Sequence, residues 1–221
     1  MTVVAHRSWF ERDTLAVAHD LLGMHVNSRI DEGTVTVRIT EVEAYRGSQD
    51  PASHAFRGQT RRNATMFGPA GHLYVYRHLG LHACMNIVAG SGDEASGILL
   101  RAGEIVEGQE LAQARRTRRG VVGSARDLAR GPARLTVALG IDHSLDGTDL
   151  TDPHGVVVLH DPARSSGGAV SCGPRVGVSG PGGDGTTFPW RLWLDGEPTV
   201  SAYRAATTRD RQAPGGSGEP R

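Results

Sequence analysis

The most regular pattern of apolar and polar positions lies at residues 34–45, which read TVTVRITEVEAY. Successive side chains of a strand point to opposite faces, so every second residue shares one face. From Val35 onward this stripe is apolar until it reaches Glu41, Glu43 and Tyr45. The pattern predicts a strand whose core-facing side carries two carboxylates next to a tyrosine.

Hydrophobic periodicity along the rest of the chain predicts helices and strands that do not alternate regularly. The segment 72–88 is typical of a β-hairpin with its turn near Leu79 and Gly80, and the polar segment 46–71 predicts a loop. Helices are predicted at 12–23, 108–119 and 131–140, and further strands at 24–30, 97–102, 155–160, 174–179 and 190–196. These elements indicate an α+β (mixed α/β) fold in one compact domain over 1–204, followed by a disordered tail at 205–221.

The amino-acid composition indicates a globular protein rather than a membrane protein. The chain is 38% hydrophobic with a mean hydropathy of −0.31, and no apolar run approaches the ~18 residues of a membrane span. Its first residues lack the apolar stretch of a signal peptide. Cys84 and Cys172 are far apart, which favours reduced thiols over a disulfide framework. We therefore expect a cytoplasmic protein without a membrane partner.

Charge is segregated along the chain although the formal net charge is zero. Residues 113–134 contain seven arginines and one aspartate, a balance of +6, whereas residues 142–161 contain five aspartates and no arginine. This segregation is typical of a protein that meets a polyanion with one face; the alternative is a solvated helix face. All 24 basic residues are arginine, because the chain contains no lysine.

The two glutamates of the 34–45 strand are the first candidates for chemistry. They either form ordinary salt bridges or belong to a cleft in which a carboxylate activates water. Arg101 ends the apolar segment GILLR, and a charge at the end of a buried strand needs a partner of opposite sign. Arg101 is therefore the candidate partner for such a carboxylate.

Aromatic side chains are concentrated near these glutamates although only 5% of the residues are aromatic. They either pack at the edge of the core or form a slot in which a planar base stacks. Arginines around such a slot indicate binding of a nucleotide that has left the duplex. The side chains concerned are Tyr45, His54, Tyr74 and Tyr76.

Two further groups of residues have open interpretations. Gly131 and Pro132 begin a predicted helix beside Arg134, which is either a plain helix start or a site for phosphate at free N–H groups. Three histidines and a cysteine of the hairpin have no spacing typical of metal ligands, so we expect no metal site. These are His72, His78, His82 and Cys84.

The segment EVEAYRGSQDPASHAFRGQTRRNATMFGPAGHLYVYRHLGLHACMNIV closely resembles the alkyladenine (3-methyladenine) DNA glycosylase family. The resemblance continues through GILLRAGEIVEG, GPARLTVALGI, RVGVS and LWLDGEPTVS. It implies a curved, largely antiparallel sheet with surrounding helices and a β-hairpin that inserts into DNA. It also implies a monomer that needs no cofactor or metal and hydrolyses the N-glycosidic bond of damaged purines in double-stranded DNA. For a bacterial chain, the expected location is the cytoplasm, in association with the nucleoid.

The resemblance also implies roles for individual residues. Glu43 matches the general base, and Arg101 with the backbone carbonyl of Val176 matches the groups that hold the attacking water. The flipped purine is expected between aromatic side chains, with the main chain of His54 reading its edge. The residues expected to bind the base are Tyr45, His54, Tyr76 and Asn86, the last by excluding the amino group of normal guanine. Glu41 is expected to support this group rather than to act as the base.

The hairpin tip departs from the family pattern. Leu79 stands where the best-known members carry a tyrosine that inserts into the minor groove, and leucine also wedges between base steps. We expect Leu79 to keep that role with weaker stacking. The residues expected to contact the DNA backbone are Arg61, Arg62, Gly131 and Arg134. The alternatives are a binding protein without catalysis and a metal-dependent hydrolase.

Overall fold

Nine strands in the described residues form one antiparallel sheet. The computed structural model describes residues 3–4, 6–31, 33–91, 94–161 and 168–206. The strands are β1 Val3–Val4, β2 His25–Ile30, β3 Gly33–Arg46, β4 Leu73–His78, β5 His82–Ala89, β6 Ser96–Glu107, β7 Val157–Asp161, β8 Val170–Gly173 and β9 Arg191–Leu194. Their order is β1-β7-β2-β3-β6-β5-β4, and β9 pairs with β3 and with β8. The α+β fold in one compact domain is therefore as the sequence predicts.

Four α-helices in the described residues pack against one face of this sheet. They are α1 Arg7–Phe10, α2 Thr14–Leu21, α3 Gln109–Thr117 and α4 Pro132–Leu139. The main hydrophobic core contains the inward side of each helix, for example Phe10, Val17, Ala112 and Leu135, and one side of the central strands. Helix α2 begins at Asp13, whose carboxylate accepts from the backbone amides of residues 15 and 16.

The long strand β3 is interrupted by a β-bulge where it pairs with β6. Ile39 is opposite Gly103 and Glu41 is opposite Ala102, so Thr40 is an extra residue in β3. The next pair joins Val42 to Leu100, which leaves Arg101 as the extra residue in β6. The strands approach so closely at this point that a Cβ on Gly103 would lie 2.2 Å from Val37. A bulge of this kind re-aims side chains and shifts the alternation.

The bulge corrects the prediction that the two glutamates face the main core. Before it, Val35 and Ile39 belong to that core; beyond it, the core residues are Val42 and Ala44. Alternation then directs Glu41, Glu43 and Tyr45 to the opposite face of the sheet. Both carboxylates are nevertheless fully buried. The simple reading of the alternation was wrong because an inserted residue shifts the phase.

The remaining predictions largely agree with the structure. The hairpin is formed by β4 and β5, and the helices and strands lie near their predicted positions. The predicted strand at 174–179 is wrong, because this segment turns: Arg175 points inward and the amide of Val176 donates to a carboxylate instead of a neighbouring strand. Residues 207–221 of the predicted tail lie outside the described residues.

Candidate active site

A cavity of about 350 Å³ opens on the sheet face opposite the main core. This volume is within the range of about 300–1,000 Å³ that small-molecule sites occupy. Its lining includes seven of the residues selected from the sequence: Glu43, Tyr45, His54, Tyr76, Asn86, Arg101 and Val176. Strands β3, β4, β5 and β6 carry five of these seven residues, whereas His54 and Val176 lie on loops, and the largest separation among the seven is 133 positions.

Glu43 is held at the cavity by three donors. The backbone amide of Val176 donates to Oε1 at 2.7 Å, and the hydroxyl of Tyr45 donates to Oε2 at 2.8 Å. A guanidinium nitrogen of Arg101 lies 3.3 Å from Oε1. A carboxylate ion accepts at about four lone-pair positions. Glu43 therefore retains acceptor capacity for one further donor.

Arg101 bridges the two glutamates, whereas the sequence predicts only that it has a carboxylate partner. Its Nε donates to Glu41 at 3.0 Å while its terminal nitrogen faces Glu43. Burial lowers the pKa of Arg101 and the charges of Glu43 and Glu41 raise it, and the net direction is upward. The guanidinium therefore stays positively charged beside Glu43.

Glu41 does not line the cavity wall but is surrounded by donors behind it. Its Oε1 accepts from Arg101, from Arg191 Nε at 2.7 Å and from the hydroxyl of Ser201 at 2.9 Å. Its Oε2 accepts from the backbone amide of Ser201 at 2.7 Å. Four hydrogen bonds therefore reach Glu41, three on one oxygen and one on the other, which suits a carboxylate that holds neighbouring groups in position.

Tyr45 forms one wall of the cavity and keeps its proton. Burial and the adjacent charge of Glu43 raise the pKa of Tyr45 well above its ordinary value. Its hydroxyl is therefore a donor to Glu43 throughout the neutral range. The guanidinium carbon of Arg175 lies 4.5 Å from the centroid of its ring, which is a cation–π distance.

Arg175 and Asp50 form a fully buried ion pair behind this wall. The guanidinium donates to both oxygens of Asp50, at 2.5 and 2.7 Å, and also to the carbonyls of Ala44 and Gly182. The pair joins the loop after β3 to the segment that carries Val176. Sequence reasoning missed both residues, and the only signal was a lone arginine in the apolar run PRVGV.

The opposite wall is aromatic. Tyr74 and Tyr76 are stacked with centroids 5.6 Å apart, and the His54 ring meets Tyr76 edge-on at 4.5 Å. Burial raises the pKa of Tyr74 to about 12 and raises that of Tyr76 further. Partial burial and the charge of Arg62 lower the pKa of His54. At neutral pH this wall is therefore a set of uncharged rings.

Two polar groups next to these rings are already oriented by the protein. The side-chain amide of Asn86 donates to the carbonyl of Tyr74 at 3.1 Å. The carbonyl of His54 accepts from the side chain of Asn63 at 2.8 Å. Asn63 also accepts from the backbone and the hydroxyl of Thr60, so this buried residue fixes the loop that carries His54.

The hairpin between β4 and β5 projects an apolar tip. Leu79 is 80% exposed and Leu81 is 75% exposed. Leu79 has a φ of 51° and Gly80 a φ of 72°, so the turn forces a leucine into the left-handed region. His78, the last residue of β4, lines the cavity, and the tip is therefore next to it.

The predicted backbone contacts lie at the surface near the cavity. Arg61, Arg62 and Arg134 are exposed, and Arg62 stacks 5.9 Å from the ring of Tyr76. Gly131 precedes α4 with a φ of 117° and no side-chain cap. Pro132 lines the cavity, which places the start of α4 at its rim.

The arginine-rich segment 113–134 is not a single basic face. Arg115 and Arg116 are buried and donate to backbone carbonyls of residues 30, 128 and 138. Arg130 donates to the carbonyl of Val200 at 2.9 Å. Neither the polyanion-binding nor the solvated interpretation applies to these three residues, and charge counting along the sequence overstated the basic surface.

The structure gives two further facts about the described residues. No three histidine, cysteine, aspartate or glutamate side chains among them are grouped as metal ligands. Within the same part of the chain, no helix has the length and apolar character needed to cross a membrane.

Comparison with known proteins gives consistent matches. A model of the methylpurine-DNA glycosylase family matches residues 8–198. A Streptomyces avermitilis protein is 51% identical over 207 residues, covering 93% of this chain and 94% of that protein. A Leifsonia xyli protein is 52% identical, covering 90% and 92%, and a Mycobacterium tuberculosis protein is 44% identical, covering 88% and 92%. The names of all three assign them to the 3-methyladenine DNA glycosylases.

Proposed function

Because the chain belongs to the methylpurine-DNA glycosylase family, a group of hydrolases that act on DNA, we propose that it excises damaged purines from double-stranded DNA by base flipping. The proposed substrates are alkylated and deaminated purines of the 3-methyladenine, 7-methylguanine, hypoxanthine and ethenoadenine class. The observation that carries the proposal is the buried Glu43, which faces a base-sized cavity with three donors around its carboxylate.

The proposed reaction is the attack of one water molecule on the sugar carbon C1′. The water oxygen forms a bond to C1′ while the bond from C1′ to the purine nitrogen breaks, and its electron pair leaves with the base. The proton released by the water passes to Glu43, which acts as general base. Since the sugar develops positive charge in this step, the same carboxylate also stabilises the transition state.

The neighbours of Glu43 support this assignment through their geometry. Tyr45 and the amide of Val176 fix the carboxylate from two directions, and Arg101 provides a positive charge 3.3 Å away. The carbonyl of Val176 is proposed to help orient the water with Arg101. Such fixed groups lower the barrier because they need no reorganisation during the reaction.

The walls of the cavity suit an extruded purine. We propose that the base stacks between Tyr45 and the His54–Tyr76 side, since these uncharged rings offer flat faces. Asn86, held by its bond to Tyr74, is proposed to exclude the amino group of normal guanine. The main chain of His54 is proposed to read the base edge beside its contact with Asn63.

The hairpin and the rim are proposed to hold the duplex. Leu79 replaces the extruded base in the stack, which an exposed apolar side chain at a turn is suited to do. Arg61, Arg62, Arg134 and the amides near Gly131 contact phosphates. We further propose that one chain acts as a monomer, since a single chain supplies the whole lining of the cavity. Its proposed location is the cytoplasm, with the nucleoid if the source is bacterial.

The test is the variant Glu43→Gln in single-turnover base release from duplexes that each carry one lesion. We expect release to be lost while affinity for lesion DNA stays within about tenfold, because phosphate contacts supply most of the affinity. Glu104→Gln is the matched control: it removes a partly exposed carboxylate from β6 that pairs with Arg38 outside the cavity. Release by Glu43→Gln at the rate of this control would refute the proposal.

A further inference from the structure

Glu41, Glu43, Arg101 and Arg191 form a buried cluster of charged side chains beside the cavity. Ser201, near the C-terminal end of the described residues, has all three of its polar atoms in this cluster. The amide and the hydroxyl of Ser201 both donate to Glu41, at 2.7 and 2.9 Å. Its carbonyl accepts from Arg191 at 2.8 Å, and its hydroxyl lies 3.3 Å from a terminal nitrogen of Arg101. Ser201 therefore contacts three of the four charged side chains of the cluster.

The cluster is electrically balanced only when its members are taken together. Glu41 and Glu43 are opposed by Arg101 and Arg191, and all four side chains are at most 8% exposed. Arg191 neutralises Glu41 through a bond of 2.7 Å. The charge of Arg101 is thereby left available to Glu43, the carboxylate that faces the cavity.

The geometry of Arg101 depends on this arrangement. Its Nε is held by Glu41, and a different nitrogen faces Glu43 at 3.3 Å. A guanidinium is rigid and planar, so fixing Nε fixes the direction of the terminal nitrogens. Glu41 is itself fixed by the two bonds from Ser201. A chain of contacts therefore runs from the C-terminal segment to the reacting carboxylate.

The same segment makes two other long-range contacts, one of them with a residue that lines the cavity. The carbonyl of Arg204 accepts from the amide of Gly177, next to Val176, and the carbonyl of Val200 accepts from Arg130. Residues 197–204 are named here the closing segment. They contact Arg101 through Ser201, and they contact the loop of Val176 through Arg204. This segment lies outside every strand and helix of the fold.

We propose that Ser201 is a positioning residue of the glycosylase reaction, which holds Arg101 against Glu43 through Glu41. The proposal rests on the proposed function, and within the closing segment it gives a role in the reaction to Ser201 and not to Thr199. It predicts that loss of one hydroxyl outside the cavity lowers the rate of base release more than it lowers binding. A merely structural serine would affect folding stability and leave the chemistry unchanged.

The experiment compares Ser201→Ala with Thr199→Val. The control removes a buried hydroxyl from the same segment, one that bonds to Thr40 and does not touch Arg101 or Glu41. We expect Ser201→Ala to lower the single-turnover rate by about 10- to 100-fold, as small misplacements of catalytic groups do. Lesion-DNA affinity and melting temperature are expected to match those of the control. Ser201→Thr, which keeps the hydroxyl, is expected to restore most of the rate.

A second readout separates positioning from general damage. With Arg101 less well placed, the rate at saturating enzyme is expected to fall in Ser201→Ala alone, while the enzyme concentration that gives half of that rate stays unchanged. Equal saturating rates for Ser201→Ala and Thr199→Val, with an active wild type, would refute this inference and leave the proposed function intact. A wild type that released no base would refute both.

Discussion

At the scale of single residues, buried arginines rather than surface ones determine the candidate site. Arg101 places its charge beside Glu43, and Arg175 places its own behind the Tyr45 wall. Each also bonds to a carboxylate that is completely buried, Glu41 or Asp50. Removing one member of such a pair leaves an uncompensated buried charge, which is more damaging than losing both.

This argument gives a prediction for Asp50→Ala. We expect the free energy of unfolding to fall by about 3–5 kcal/mol, because Arg175 would remain buried without its partner. Asp20→Ala is the control, since Asp20 pairs with Arg12 at the surface and both side chains are about 40% exposed. Exposed pairs of this kind contribute about 0–1 kcal/mol. The measurement is urea unfolding followed by circular dichroism.

The double variant Asp50→Ala with Arg175→Met sharpens the test. It removes both charges, so we expect it to recover much of the lost free energy of unfolding. A single variant as stable as Asp20→Ala would show that the pair does not bear on stability. A double variant less stable than the single one would show that the cation–π contact with Tyr45 outweighs the ion pair.

At the scale of helices and strands, the sequence predicted the elements that follow from a local pattern of side chains. It did not predict the β-bulge, which depends on an inserted residue. The hairpin over 72–88 was predictable, because Tyr74 and Tyr76 alternate with two apolar residues and a glycine marks the turn. The bulge at Thr40 was not predictable. Side chains are assigned to the two faces of a strand by alternation, and this assignment holds only if no residue is inserted. Its consequence, which places Glu43 in a cavity rather than in the main core, appears only with the pairing to β6.

The candidate site likewise contains residues that the sequence predicted and residues that it did not. The seven residues to which the family resemblance gives catalytic or base-binding roles line one cavity. The supporting residues Asp50, Arg175, Arg191 and Ser201 were not predicted, because each is fixed by partners more than 100 positions away or by a turn. Long-range pairing of polar side chains leaves no periodic signal in the sequence.

The hairpin tip gives a prediction at this scale. We expect Leu79→Ala to lower base release from duplex DNA by about tenfold, equivalent to about 1.4 kcal/mol, through weaker capture of the extruded base. Release from single-stranded DNA with the same lesion should change little, because no neighbouring stack has to be opened. Val121→Ala is the control, since Val121 is 93% exposed and lies outside the hairpin and outside every helix and strand. Equal loss on both substrates would exclude a wedge role for Leu79.

At the scale of the whole molecule, the sheet separates two tasks. One face packs the helices and supplies the hydrophobic core, and the opposite face carries the cavity with its buried charges. The closing segment and the loop at Val176 complete that second face without forming regular structure. The polar side of the sheet is therefore stabilised by ion pairs and backbone bonds, whereas the other side is stabilised by apolar burial.

The composition of the whole chain also limits the chemistry that follows base release. Enzymes that cut the strand through a covalent intermediate use an amine, which forms a Schiff base with the sugar. None of the 221 residues is a lysine, and arginine is too basic to lose its proton for this role. We therefore expect water to be the nucleophile, so that the product is an intact strand with an abasic site. The test adds borohydride during turnover on a lesion duplex, with a lysine-dependent glycosylase as the positive control. A covalent protein–DNA adduct would contradict attack by water, whereas base release without an adduct or strand break is the expected result.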